Sequence, residues 1–266
     1  MIENWIAGTI LNLLIAGVAY RKRAVSASGA IAGFAAGTVI FAAGAGFWGL
    51  LMLFFVGSTL LGRTGGTHRP DLHDIHAKGD RRDGRQVIAN AGPAAIAAIA
   101  TVLGAGPWAA RALVASLAAA TADTWSSEIG GRSSTPPVSI LTLKPSVRGI
   151  SGAVTRLGLA AGFVGAVVTA LAGAGAVALA GAPATEALIV AIMGAALGVL
   201  GTLLDSVLGA TVQVRYRRGD GSPTEKPTDR GGIRNEIEHG VRWVNNDAVN
   251  LITTATVAVI AVVLSV

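Results

Sequence analysis

WAARALVASLAAATADTWSSEIG, residues Trp108 to Gly130, joins a long apolar stretch to a compact polar patch. The apolar part covers residues 108–122. The polar part, residues 121–130, combines an aspartate, a tryptophan and a glutamate with several hydroxyl side chains. This patch begins where a membrane helix would leave lipid. Because polar and ionisable groups at such depth are costly, we interpret it as part of a functional site.

The composition predicts an integral membrane protein. Of the 266 residues, 52% are hydrophobic and 14% are charged, with a mean hydropathy of +0.60, whereas soluble domains carry about 25% charged residues. Apolar segments occur along the whole chain, so we expect a single integral membrane domain over residues 1–266. The absence of cysteine excludes disulfide and thiol chemistry.

The fold class that follows is all-α, a polytopic transmembrane helical bundle. About eight apolar segments approach the ~20 residues that a bilayer requires. They cover residues 2–20, 28–45, 47–61, 87–103, 108–122, 153–180, 184–212 and 248–266.

Loop charge orients this bundle. Basic links at residues 21–23, 63–85, 132–148 and 215–242 alternate with short uncharged links, as the positive-inside rule requires of a consistent topology. We therefore expect both termini outside and a polar site on the cytoplasmic side. Arg111 is the exception, at an outer end where it can snorkel. The net charge of +6 then reflects topology and contact with membrane lipids or phosphate, and we expect no nucleic acid partner.

Glycine spacing indicates close helix packing. Gly29, Gly33 and Gly37 repeat every four residues, a small-residue face of the kind that lets membrane helices approach each other. A binding groove is the alternative. Asp205 lies on a similar stripe with Gly201 and Gly209, so we expect it to face the bundle interior and to have a metal or an arginine as partner.

Hydroxyl and carboxylate groups within the opening stretch suit Mg²⁺. On a helix, Asp123 and Ser127 share one face, and Thr124 and Glu128 share another. Mg²⁺ takes one or two carboxylates and completes its shell with water and phosphate oxygens. Helix capping with a salt bridge is the simpler interpretation of the same residues.

Two further polar motifs carry amides beside charges. The segment WVNNDAVN, residues 243–250, contains Asn246, Asp247 and Asn250; helix capping needs only one such residue. The segment RRDGRQVIAN, residues 81–90, contains Arg82, Arg85 and Asn90, which are candidate phosphate ligands. The simpler alternative for these arginines is topology charge.

The remaining candidates lie in two links. The segment KPSVRGISG, residues 144–152, holds Lys144, Arg148 and Ser151 before a predicted helix, a typical anion site. Gln213 ends the motif that begins at Asp205. The link at residues 67–76 holds three histidines that could bind a transition metal, although a solvated loop is the better interpretation. There is no GxxxxGK[ST] phosphate loop, protein-kinase signature or GxSxG elbow.

Taken together, five motifs resemble one family. ADTWSSEIG, RQVIANAGPAA, KPSVRGISGAVT, LGTLLDSVLGATVQ and WVNNDAVN are similar to motifs of the family that contains plant phytyl-phosphate kinase and the transmembrane protein 19-like proteins. The resemblance covers roughly residues 28–250. It implies that an isoprenyl monophosphate is phosphorylated to the diphosphate, with CTP or a related nucleoside triphosphate as donor and Mg²⁺ as cofactor.

This resemblance and the polar residues lead to one hypothesis for the site. Asp123, Asp205 and Asp247 hold one or two Mg²⁺, and Glu128 orients a ligand or an arginine. Arg82 and Arg85 hold the lipid phosphate. The expected nucleotide and polar-shell contacts are Thr124, Ser127, Lys144, Arg148, Ser151, Gln213, Asn90, Asn246 and Asn250.

Two other functions remain open at this point. A cytidylyltransferase would use the same CTP and lipid phosphate to make a CDP-lipid. An ion-coupled transporter would also use glycine-rich helices with buried aspartates, although the acids here lie at one side rather than at the midplane.

Overall fold

The structure is a computed structural model that describes residues 2–66, 75, 81–229 and 231–266. Within these residues the chain forms eight helices, most of them joined by short links. They are α1 (Ile2–Arg21), α2 (Ala27–Ala43), α3 (Ala45–Gly66), α4 (Gly84–Val102), α5 (Trp108–Gly130), α6 (Arg156–Leu179), α7 (Ala184–Thr211) and α8 (Asn246–Val263). His73 and His76, which were considered as metal ligands but interpreted as part of a solvated loop, lie outside the described residues.

Short antiparallel strands, which the sequence did not predict, occupy two of the links. β1 (Val138–Ser139) pairs with β2 (Ala153–Val154), and the second sheet has the order β4-β3-β5. Its strands are β3 (Arg215–Arg217), β4 (Pro223–Thr224) and β5 (Glu236–His239).

The strand β2 corrects one helix boundary. The span expected from residue 153 begins instead at Arg156. The reason is local, because the Thr155 hydroxyl accepts a hydrogen bond from Gly158 N at 3.0 Å and caps the helix there.

Helix α5 is the centre of the bundle. Every residue from Ala112 to Ala122 is buried, and α3, α4, α6, α7 and α8 all pack against it. The sequence explains this position, since a helix that is small and apolar all round is enclosed by others. The helix continues to Gly130, so the polar patch forms about its last three turns.

Glycines allow α6 and α7 to approach α5 closely. A Cβ added at Gly201 would lie 2.5 Å from Ala119 Cβ, and one at Gly173 would lie 2.6 Å from Val114 Cγ1. Both distances are well below van der Waals contact. The small-residue packing expected for membrane helices is therefore present, and on α7 it includes the predicted stripe at Gly194, Gly198, Gly201 and Gly209.

The four basic links meet at one end of the bundle, which we call the polar end. Hydrogen bonds join the segments there: Ser26 N donates to Arg82 O at 2.8 Å, Arg132 Nη2 to Leu61 O at 2.5 Å, and Ser151 N to Glu225 Oε1 at 3.1 Å. Successive helices therefore run in opposite directions, as the alternation of basic and uncharged links predicted.

Arg111 lies at the opposite end and does not snorkel. Its guanidinium forms a two-pronged ion pair with Glu186 of α7, with Nε–Oε1 and Nη2–Oε2 distances of 2.9 and 2.5 Å. The pairing holds the first turns of α5 and α7 together and explains how a cation is tolerated within an apolar helix.

Four helices of the described chain are long and apolar enough to cross a membrane: Ala45–Arg63, Arg156–Leu179, Ala184–Thr211 and Asn246–Val263. Helices α1 and α2 contain shorter apolar stretches, Trp5–Arg21 and Ala27–Ala43. The expectation of a polytopic helical protein is confirmed in this coarser form. Helix α5 is not apolar enough to be counted among these four. Its neighbours enclose it, so small alanine side chains suffice where a lipid-facing helix needs larger apolar residues.

Candidate functional site

Asp123 of α5 and Asp205 of α7 meet at the polar end. The two helices touch through Ala119 and Gly201, each one turn before the aspartate of its helix. Because both helices run toward the polar end and residues four apart share a face, this contact brings the two aspartates together. The negative charge of Asp123 accordingly acts on Asp205. The predicted inward orientation of Asp205 is thus what the packing produces.

Glu225 is an acidic residue of this cluster that the sequence analysis missed. It is buried in the link between α7 and α8, and its charge also acts on Asp205. Its Oε1 accepts hydrogen bonds from Ser151 N at 3.1 Å and Ser151 Oγ at 2.5 Å. Gln213 Nε2 in turn donates to Ser151 Oγ at 2.7 Å. Ser151 and Gln213, both predicted site residues, therefore hold Glu225.

The only sequence signal for Glu225 was its position in SPTEKPT, between Pro223 and Pro227. That pattern is also typical of a solvated loop. Glu225 is buried by tertiary contacts. It directly follows β4, and its backbone N donates a hydrogen bond to Ile75 O at 2.9 Å.

Several buried oxygens on α7, α8 and the link between them lack a hydrogen-bond partner among the described residues. They are Asp205 Oδ2, Thr253 Oγ1, Gln213 Oε1 and Asn250 Oδ1. The Thr253 hydroxyl approaches the Asp205 carboxyl group but forms no hydrogen bond of acceptable geometry with it. Buried polar atoms without partners are rare and call for a water, an ion or a ligand.

This donor set fits Mg²⁺, which binds carboxylate, amide and hydroxyl oxygens and retains several waters. In the described part of the chain, no three acidic or histidine side chains are grouped so that they alone could hold a metal ion. Any Mg²⁺ here would therefore have only one or two carboxylate ligands, with phosphate oxygens and water completing its shell. This is the mode expected where a nucleotide brings the metal.

Asp247 does not join Asp123 and Asp205 in such a group. It is buried in the first turn of α8, and the charges that act on Asp205 do not include it. Asn245 caps this helix, accepting a hydrogen bond from Ala248 N at 3.0 Å, which is the simpler role considered for the motif. Asn246 is exposed, whereas Asn250 is half-buried.

A second polar region surrounds Arg82. A cavity of about 390 Å³, which we call the basic pocket, is lined by Lys22, Arg23, Ala24, Ser58, Thr59, Gly62, Arg63, Arg82 and Glu128. Burial lowers the pKa of Arg82, and the charge of Glu128 opposes that shift. The guanidinium also lies over the Phe54 ring at 5.5 Å. Glu128 and Arg82 line the same pocket, and the role predicted for Glu128, orienting a ligand or an arginine, stays a prediction.

An apolar cavity of about 60 Å³, the apolar slot, lies beside the basic pocket between α1, α2, α3 and α4. Arg82 lines both cavities. The glycine face of α2 is divided between the two roles considered for it. Gly29 is in close contact with Arg82 O, and Gly37 with the Asn12 side chain. Gly33 lines the slot, and a Cβ added there would meet nothing within 4 Å.

The other predicted cations have different surroundings. Arg148 donates to the carbonyl oxygens of Gly130, Gly131 and Thr135 at 3.5, 3.3 and 3.0 Å, and so caps the end of α5. Lys144 and Arg85 are exposed.

The remaining predicted residues lie near these two regions. Ser127 is exposed, and its hydroxyl donates to Asp123 O at 3.0 Å. Thr124 is half-buried on the same turn. Asn90 donates to Gln86 O at 2.8 Å and lines the apolar slot.

Comparisons with known proteins agree with this architecture. The sequence model of the DUF92 integral membrane proteins matches residues 10–258. Protein PGR of Arabidopsis thaliana is 30% identical over 267 residues, covering 93% of this chain and 91% of its own length. An uncharacterized membrane protein of Synechocystis is 29% identical, with 97% and 90% covered. One from Methanocaldococcus jannaschii is 30% identical, with 81% and 74% covered. No solved structure matches significantly. These matches confirm the family resemblance that the motifs indicated.

Proposed function

The chain belongs to the DUF92 family of integral membrane proteins, and from this premise we propose that it is an isoprenoid monophosphate kinase. It would transfer the γ-phosphoryl group of CTP, or of another nucleoside triphosphate, to an isoprenyl monophosphate of the phytyl or geranylgeranyl type. The observation that carries the proposal is the juxtaposition at one end of α5 of a carboxylate cluster, with orphaned oxygens, and a basic pocket.

The carboxylate cluster would hold Mg²⁺ through Asp123 and Asp205, and Asp247 would serve a second ion. A Mg²⁺ held there would supply positive charge that neutralises the phosphates of the nucleotide. Glu225, held by Ser151, adds negative charge near Asp205. This charge would strengthen the binding of a cation by the Asp205 carboxylate. Asn250 Oδ1 and Gln213 Oε1 would complete the polar shell with the water and phosphate that such a site retains.

The cations would position the phosphates. Arg82 holds the lipid phosphate in the basic pocket, and Glu128 keeps its guanidinium in place. Lys144 and Arg85, which are exposed, are available to the nucleotide phosphates. Arg148 acts on the same link by tying it to the last carbonyls of α5.

The chemical step needs little from the protein beyond position and charge. An oxygen of the lipid phosphate forms a bond to the γ-phosphorus, the bond from that phosphorus to the β–γ bridging oxygen breaks, and CDP leaves. Because the acceptor phosphate is already ionised near neutral pH, no strong general base is required. Asp123 and Glu128 are five residues apart along α5, a rise of about 8 Å, and lie on different faces of the helix, so the two substrates would meet across its last turns.

The loop charges support a site on the cytoplasmic side, with both termini outside. Such a site would take CTP from the cytoplasm and the isoprenyl phosphate from the membrane.

The test uses the purified protein in detergent with Mg²⁺, γ-labelled CTP and phytyl, farnesyl and geranylgeranyl monophosphates. Label in a lipid diphosphate is the expected result. The Asp123→Asn variant should lose this transfer while it keeps the wild-type elution volume and melting temperature. Full turnover by that variant would remove Asp123 from the metal site.

The other outcomes point to the alternatives. Release of pyrophosphate with a CDP-lipid as product would replace the kinase with a cytidylyltransferase. No product with any nucleoside triphosphate would refute both enzymes and leave ion-coupled transport, for which Asp205 is the residue to test.

A further inference from the structure

We propose that the basic pocket and the apolar slot form one binding site for an amphiphilic phosphate monoester. The phosphate occupies the pocket, held by Lys22, Arg23 and Arg63 together with Arg82, and the first carbons of the apolar chain occupy the slot. This inference rests on the proposed function, for which it names the residues that seat the lipid substrate.

The first step is charge. Lys22 and Arg23 end the link after α1, and Arg63 lies in the last turn of α3. Topology alone explains why these residues are basic but not why they line one cavity with Arg82. Among the residues that the structure describes, four cations line the pocket with a single carboxylate, that of Glu128, so this part of the chain supplies an excess of positive charge that suits a doubly charged phosphate.

The second step is the presence of polar atoms without partners. Ser58 Oγ and Arg82 Nη1 are both buried, both belong to residues that line the pocket, and neither has a hydrogen-bond partner among the described residues. Ser58 is 1% exposed. A hydroxyl and a guanidinium N–H are the donors that a phosphate oxygen accepts from.

The third step is the connection to the slot. Arg82 is shared by both cavities, and the slot beyond it is lined by apolar groups such as Ile15, Met52 and Phe55. Free phosphate would use the pocket and leave the slot unexplained. A phosphate with an attached hydrocarbon chain accounts for both.

The size of the slot limits what it holds. About 60 Å³ is less than the ~150 Å³ of a cavity that accommodates benzene. The slot therefore receives only the carbons next to the phosphate, and the rest of the chain stays in the bilayer. With this arrangement the affinity depends on the first carbons of the chain more than on its total length.

Binding can be measured without nucleotide, by isothermal titration calorimetry of the full-length protein in detergent. Geranylgeranyl monophosphate should bind at least tenfold more tightly than inorganic phosphate or geranylgeraniol. Lys22→Gln and Arg63→Gln should each weaken it by roughly ten- to a hundredfold, the usual cost of a lost charge-assisted hydrogen bond. Arg156→Gln, at an exposed arginine outside the pocket, is the matched control and should change nothing.

Lys22→Gln also separates ligand binding from folding. Arg63 donates a hydrogen bond to Lys22 O at 2.6 Å, so replacing Arg63 removes a link between the ends of α1 and α3. Replacing Lys22 leaves this hydrogen bond in place, because its acceptor is a backbone oxygen. Gly33→Leu tests the slot, because a side chain there points into open space. It should weaken binding of the lipid phosphate and leave the binding of inorganic phosphate and the melting temperature unchanged.

The outcomes distinguish the site from the reaction. Unchanged affinity in both cation variants would overturn the proposal, and equal affinity for inorganic and geranylgeranyl phosphate would overturn the role of the slot. Tight binding without transfer of label would refute the kinase and leave the site standing. Transfer with a wild-type KM for the lipid in both variants would refute the site and leave the kinase standing.

Discussion

Replacing Gly201 by alanine should separate the two aspartates without touching either. A Cβ at this position would lie 2.5 Å from Ala119 Cβ, about 0.9 Å short of the 3.4 Å at which ordinary contact begins. Neither atom can rotate away, since both are fixed to helix backbones. Helices α5 and α7 must therefore move apart by roughly 1 Å, one turn before Asp123 and Asp205.

The magnitude follows from that displacement. Overpacking of this kind costs about 1–3 kcal/mol of stability, and a misplacement of ~1 Å at a reacting centre can lower the rate by about a hundredfold. We expect Gly201→Ala to reduce kcat by roughly that factor with little change in KM for the lipid phosphate. The assay is transfer of label from CTP in detergent, with the melting temperature measured in parallel.

The matched control is Gly175→Ala in α6. A Cβ there would meet nothing within 4 Å, so alanine should be neutral or slightly stabilising in a helix. Wild-type kcat in the Gly201 variant, with a lowered melting temperature, would refute the idea that the Ala119–Gly201 contact positions the carboxylates. Equal losses in both variants would show that any glycine replacement disturbs the bundle.

Two further replacements test residues that the structure brought forward. Glu225→Gln keeps the hydrogen bonds with Ser151 but removes a negative charge near Asp205. The concentration of Mg²⁺ needed for half-maximal activity should therefore rise by about tenfold. An unchanged Mg²⁺ requirement would exclude an electrostatic role for Glu225. Glu186→Gln removes the charge that pairs with Arg111 in a half-buried ion pair and should cost about 1–3 kcal/mol of stability, which thermal or denaturant unfolding would measure. Glu238→Gln, in a more exposed ion pair, should cost under about 1 kcal/mol, and similar losses in both would contradict the assigned difference in burial.

Local sequence determined the helices, their alternating direction and the central place of α5. Basic links flanked by apolar segments allow only one consistent alternation, and a helix whose residues are small and apolar on every side is typically enclosed by other helices. The same reasoning correctly put Asp205 on a packed face, because its spacing from Gly201 and Gly209 is a property of a single helix.

Tertiary structure decided which polar groups meet. Asp123 and Asp205 are 82 positions apart, and they come together because Ala119 and Gly201 are small enough for their helices to touch. Asp247, equally acidic and near the same end, belongs to no group of three acidic side chains among the described residues. Glu225 joins the cluster because its link folds against the polar end of the bundle. Helical periodicity cannot predict this, since the residue does not lie on a helix.

The same division holds for the basic pocket. The sequence accounted for Lys22, Arg23 and Arg63 as topology charges, since each follows an apolar helix. Whether such charges face water or line a cavity depends on how neighbouring helix ends are arranged, and the link at Arg82, hydrogen-bonded to the link after α1, closes them into a pocket. Periodicity and charge are local and can be read from the chain, whereas convergence at a site depends on contacts between residues far apart in sequence.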